Sequence, residues 1–157
     1  MRAIYAGLLL AGLALPAAAQ QPPERGSPAA VDAVREAVRT DKRGLVAKNL
    51  PLTEAEAKKF WPLYDGYQKD LDRIRKRQNR VVLDFVNSQS ALTDANAKRI
   101  AKEFIEAEAE EQKLRERQLK EVAAVLPAAK AVRYLQIENK VRILNQYDVA
   151  AQLPLVR

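Results

Sequence analysis

In the stretch FWPLYDGYQKDLDRIRKRQNRVVLDF, residues 60–85, apolar side chains return at alternating intervals of four and three. They are Phe60, Tyr64, Tyr67, Leu71, Ile74, Val81 and Phe85, with Gln78 at the one polar position. An interval averaging three and a half residues keeps one stripe of a helix against a partner, so the pattern predicts a heptad seam and not a strand. Thr53 and Glu56 upstream have the spacing of a capping box, in which hydroxyl and carboxylate each satisfy an orphan backbone N–H. Pro62 falls inside this helix and predicts a bend near Trp61, because proline removes a donor and crowds the preceding turn.

Downstream, Asn87-Ser88-Gln89-Ser90 interrupts the pattern, and Thr93 followed by Asp94 has the chemistry of a new helix start. The next seam reads Ala97, Ile100, Phe104, Ala107, Glu111, Leu114 and Gln118. Folding back about Gln89 pairs residues whose numbers add to 178: Val81 with Ala97, Gln78 with Ile100, Ile74 with Phe104, Leu71 with Ala107, Tyr67 with Glu111, Tyr64 with Leu114 and Phe60 with Gln118. Arg73, Arg75, Lys76, Arg77 and Arg80 then fall opposite Glu103, Glu106 and Glu108. Each exposed pair contributes about 0–1 kcal/mol and so favours the register more than the fold. Burying the seam matters more, at about 1.5–3 kcal/mol per large side chain. Helices of this length make a hairpin about 50 Å long.

Two shorter helices flank the hairpin. Ser27 before Pro28 is a helix-start signal, and a helix is expected from Pro28 to Lys48 with Val31, Val34 and Val38 on one stripe. Gly44 weakens it and marks a point of division; Asn49-Leu50-Pro51 closes it. Leu126-Pro127 ends or kinks the second hairpin helix. A last helix runs from Pro127 to Ala151, with Tyr134, Ile137, Val141 and Leu144 on one face, Val132 and Leu135 beside them, and Pro154 as its stop. No strand-like alternation occurs, and five glycines serve all 157 residues. The expected fold is all-α, a long antiparallel helical hairpin flanked by two shorter helices, as one domain over 28–157.

Residues 1–19 have the layout of a cleaved secretory signal: Arg2, the apolar run Ile4 to Leu15, Pro16, then Ala17-Ala18-Ala19. The run is too short to span a bilayer, and no cysteine follows it to carry a lipid. Residues 20–27 are polar and turn-rich and read as a flexible leader. Cleavage after Ala19 leaves 138 residues with 26 basic and 20 acidic groups, a net charge of +6. The expected location is the periplasm, with release to the medium as the runner-up. Both signs are interleaved along the chain, which suits acidic envelope components or acidic client proteins rather than nucleic acid.

The chain has no His and no Cys, and its one Met is Met1. It therefore lacks the ligands of the usual copper, zinc and iron sites, a thiol nucleophile and a histidine base, so neither a cofactor nor an enzyme is expected. The acidic run Glu106 to Glu111 lies on a helix, which cannot wrap a hard cation with six or more oxygens.

Phe60, Trp61, Tyr64 and Tyr67 read in two ways. They pack the flanking helices against the hairpin, or part of the cluster, Trp61 above all, is exposed to catch apolar segments of another protein. Arg73, Arg75, Lys76, Arg77 and Arg80 on the same helix either pair within the hairpin or steer acidic, unfolded clients. Glu111 and Gln118 interrupt their seam; each sits at its edge or meets a polar partner such as the Tyr67 hydroxyl. Glu138 and Arg142 have the spacing of an i,i+4 pair.

Leu52-Thr53-Glu54-Ala55-Glu56, Leu92-Thr93-Asp94-Ala95-Asn96 and the later Val125-Leu126-Pro127 each open a helix. In layout the chain resembles the Spy/CpxP group of periplasmic helical proteins, marked by repeated Leu-Thr-x-x-Gln motifs. Glu56 and Asn96 stand where that motif has Gln, and the third site lacks Thr. The resemblance implies a small all-α periplasmic protein, often a cradle-shaped homodimer of bent hairpins, acting as an ATP-independent chaperone or a stress-response adaptor. The metal-sensing members of that group use His-containing sites, which have no counterpart here. The expected function is chaperone-like holding of non-native protein segments; the alternative is a structural or adaptor protein recognising one folded envelope partner.

Overall fold

The computed structural model describes residues 27–88, 91–151 and 153–155. The expected signal, leader residues 20–26 and Gln89 lie outside the described residues. Four helices follow one another: α1 (Pro28–Asn49), α2 (Glu54–Ser88), α3 (Asp94–Val125) and α4 (Ala128–Ala150). Their starts are where the caps place them. Ser27 Oγ accepts from Ala30 N at 3.2 Å, with Pro28 in the first turn. Thr53 N donates to the Glu56 carboxylate (2.7 Å) while Thr53 Oγ1 accepts from Glu56 N (3.3 Å), which is the expected capping box. Thr93 Oγ1 accepts from Asn96 N at 3.3 Å. α2 runs through Pro62 as one helix, with the proline ring turned to solvent.

α2 and α3 make the most extensive contact, and α4 packs on both α3 and α1. Lys42 reaches Glu138 and Arg35 reaches Asp148, so α1 and α4 are antiparallel; Arg115–Asn139 and Gln118–Tyr134 make α3 and α4 antiparallel. Lys42–Gln68 and Arg43–Asp65 set α1 antiparallel to α2 as well. The whole is an up-and-down four-helix arrangement in which the hairpin supplies the two longest members.

Both seams face inward as expected. Phe60, Tyr64, Tyr67, Leu71, Ile74 and Val81 are buried on α2; Ile100, Ala107, Glu111, Leu114, Gln118 and Val122 are buried on α3. Their register differs from the one the pattern suggested. Arg73–Glu110, Arg77–Glu106 and Asp84–Arg99 have numbers adding to 183, Asp70–Arg117 to 187 and Gln78–Glu111 to 189, in place of 178. Leu71 clusters with Leu114, one heptad beyond Ala107, and Tyr64 clusters with Val122 and Leu126 instead of Leu114. The cause is the symmetry of the pattern: sliding a heptad seam by seven residues puts apolar groups back in step, so periodicity leaves the register open. The turn decides it. α2 continues to Ser88 and α3 starts only after Thr93, which moves the centre of the fold-back beyond Gln89.

α1 divides, though at Asp41 and not at Gly44. Asp41 has φ −152° and ψ 73°, outside the helical region, and its carboxylate accepts from Gly44 N at 2.7 Å. A Cβ on Gly44 would lie 2.0 Å from Asp41 Oδ2, so the carboxylate would have to turn from its present rotamer to admit a side chain there.

Candidate functional site

The end of the bundle holding the α1–α2 and α3–α4 junctions is packed solid. Phe60 is fully enclosed, and Tyr64 and Tyr67 expose 3% and 5% of their surface. The Phe60 ring meets Trp61 and Tyr134 edge-on, with centroids 5.0 and 5.1 Å apart. Val46, Leu50, Val122, Leu126 and Ala131 complete the cluster from the other three helices. The reading of Phe60, Tyr64 and Tyr67 as a client-binding surface is therefore corrected: α1 and α4 close over them, and a partner has no ring to touch. Trp61 is half-buried, with the Arg43 guanidinium 4.2 Å over its ring and Arg43 held in turn by Asp65.

The basic stretch is largely neutralised within the hairpin. Arg73 pairs with Glu110 (3.1 Å), Arg77 with Glu106 and Glu110 (3.1 and 3.4 Å), and Lys76 with Asp72 (2.7 Å). Arg75 reaches the Asn145 amide, whose oxygen, turned toward it, accepts from both Nη atoms at 3.0 and 3.3 Å. Arg80 has no carboxylate partner among the described residues.

A polar layer crosses the interior next to the aromatic core. Lys42 Nζ donates to Glu138 Oε2 (2.9 Å) and Gln68 Oε1 (2.8 Å), and Gln68 Nε2 donates to Glu138 Oε1 (3.2 Å). Three helices thus share one closed triangle of hydrogen bonds. Burial depresses the Lys42 ammonium from its ordinary value, and the Glu138 charge opposes the shift. Glu138 is not the partner of Arg142, as its spacing suggested; Arg142 donates to Gln146 and Asn139. The polar interruptions of the seams find partners too: Gln78 Nε2 donates to Glu111 (3.1 Å), and Gln118 Nε2 donates to the Tyr134 hydroxyl (3.4 Å). Tyr134, not Tyr67, supplies the hydroxyl. A signal for this layer was present in α4, because Glu138 lies on the same i, i+4, i+7 line as Tyr134 and Val141.

The opposite end, where the hairpin turns and α4 terminates, is built differently. The helices part there to leave an open groove of about 570 Å³ between α2, α3 and α4. Val82, Phe104, Val149, Ala150 and Leu153 form its apolar walls, with Arg75, Arg142, Glu108 and Glu111 among them. The same half of the bundle carries exposed Leu83 and Val86 in the last turns of α2, Ile105 on α3, Ile143 and Tyr147 on the second half of α4 and Leu155 beyond it, with exposures from 43% for Val86 to 90% for Leu155. Among the described residues, the large exposed apolar side chain at the packed end is Val132. Among the described residues no three carboxylates converge as a metal site, and no helix is long and apolar enough to cross a membrane. The arrangement offers apolar contact area flanked by both signs of charge.

An antiparallel four-helix bundle with one packed end and one apolar, grooved end is the class the geometry defines. Comparison of the chain with family models, with curated proteins and with solved structures returned no match.

Proposed function

We propose that this protein is a non-enzymatic, ATP-independent holding chaperone of the cell envelope, and that it takes non-native protein segments at the turn end of the bundle. The observation that carries this reading is the open groove walled by Val82, Phe104, Val149, Ala150 and Leu153, in a half of the bundle that also exposes Leu83, Val86, Ile105, Ile143 and Tyr147, while the other end encloses Phe60, Tyr64 and Tyr134. An open groove whose exposed lining is mainly apolar is a place where another apolar surface can be covered. A shallow groove with mixed charge suits short apolar stretches of many sequences better than one shaped side chain. The resemblance to the Spy/CpxP group supports the same reading, as does the N-terminal run that reads as an export signal.

Since Glu106 and Glu110 already engage Arg73 and Arg77, capture depends on apolar contact more than on the basic stretch. The test is light scattering from a chemically denatured globular protein diluted into buffer with this protein near equimolar ratio. Suppressed aggregation that persists at moderate salt is expected. Aggregation that proceeds unchanged for several clients at every ionic strength refutes the proposal. A single stable complex with one folded envelope protein, combined with indifference to denatured clients, favours the adaptor reading instead.

A further inference from the structure

We infer that residues 28–40 form a hinged strap that regulates access to the turn end of the bundle, an inference that rests on the capture function proposed above. α1 is two helices in sequence, each with its own N-terminal cap. Ser27 caps the first, and Asp41, out of helical geometry, caps the second at Gly44. The junction therefore has its own hydrogen bonding on the downstream side, and the second piece keeps it whether or not the first is docked.

The two pieces are held very differently. From residue 42 onward Val46 and the following Leu50 are enclosed in the core, Lys42 is tied to Gln68 and Glu138, and Arg43 lies on Trp61. Among the described residues upstream of Asp41 none is buried; Val31, Val34 and Val38 are half-buried. The cross-helix polar anchor of this piece is Arg35, which donates to Asp148 at 3.1 and 3.3 Å and lies 5.9 Å from the Tyr147 ring centre. Within the piece, Asp32–Arg35 and Glu36–Arg39 pair at i,i+3, which supports helix independently of the bundle.

Asp148 also lines the groove, and Tyr147 belongs to the exposed apolar set, so the anchor of the strap sits on the rim of the capture surface. Swinging the strap away about Asp41 lifts Arg35 from Tyr147 and Asp148 and uncovers the half-buried Val31, Val34 and Val38 together with the face of α4 on which the strap packs. The docked strap limits the apolar area on offer, and release enlarges it. Segments with few enclosed contacts open at lower cost than the core they lie on.

Hydrogen exchange and client holding test this separately. The amides of 29–40 are expected to exchange about tenfold or more faster than those of 45–50, and Arg35→Ala to accelerate 29–40 alone. Equal protection of the two pieces, or acceleration of both by Arg35→Ala, overturns the hinge. The chain has no cysteine, so Arg35→Cys with Asp148→Cys can be bridged by a short bis-maleimide without background labelling. The bridged form is expected to need about twofold or more protein than the unbridged form to suppress aggregation equally. Equal potency of the two forms overturns the regulation. Should no form suppress aggregation, the capture reading falls and the regulation with it, while the exchange result alone judges the hinge.

Discussion

Lys42 and Glu138 meet 2.9 Å apart in the interior, tying α1 to α4, and Gln68 of α2 bonds to both. Their side chains expose 14% and 7%, so neither charge has much water to fall back on. Removing one partner leaves the other buried and unpaired, and Glu138→Ala is expected to cost about 3–5 kcal/mol. Replacing all three groups together, as Lys42→Met, Gln68→Leu and Glu138→Leu, is expected to be neutral or to stabilise by about 1–4 kcal/mol. Urea unfolding followed by circular dichroism checks both. A Glu138→Ala midpoint at the wild-type value would mean that the triangle is not formed.

The aromatic cluster separates into a core ring and a rim ring. Phe60→Ala is expected to cost about 3–5 kcal/mol, the range for a large enclosed aromatic. Trp61→Ala, which removes a half-buried ring under Arg43, is expected to cost less than about 2 kcal/mol. Equal losses in denaturant titrations would place both rings in the same environment.

Alkaline pH should unfold the protein through its tyrosines. Burial, then the Glu138 charge, raises Tyr64, Tyr67 and Tyr134 well above the ordinary 10.0. Above that value the unfolded chain releases phenolic protons that the folded chain keeps, so the unfolded state binds fewer protons and stability falls as pH rises. The three phenolate signals near 295 nm are therefore expected to appear together with the loss of helix. Ionisation of these tyrosines ahead of unfolding would contradict their enclosure.

How far the fold could be read in advance differs from element to element. The seams of α2 and α3 were legible because a heptad repeat over many turns specifies both helix and face, and the caps at Ser27, Thr53 and Thr93 were legible because their chemistry is local. The register was not, since Leu71 meets an apolar seam position equally well at Ala107 or at Leu114, and only the turn distinguishes them. The exposure of the rings was not legible either: whether Phe60 faces solvent depends on where α1 and α4 dock, which the hairpin pattern does not contain. The same docking leaves Leu83, Ile105 and Ile143, which lie off the seams, exposed to solvent, an outcome that depends on where the neighbouring helices sit.

The measurement that bears most directly on the account is photo-crosslinking from single positions. A photoreactive residue at Leu83, Ile105, Ile143 or Val132 would be irradiated in the presence of a freshly denatured client. Adducts at the first three positions and little at Val132 are the expected outcome, because the first three lie in the half of the bundle that holds the groove and Val132 lies at the packed end. Equal adducts at all four positions, or none at Leu83 and Ile105, would contradict a capture surface at the turn end of the bundle.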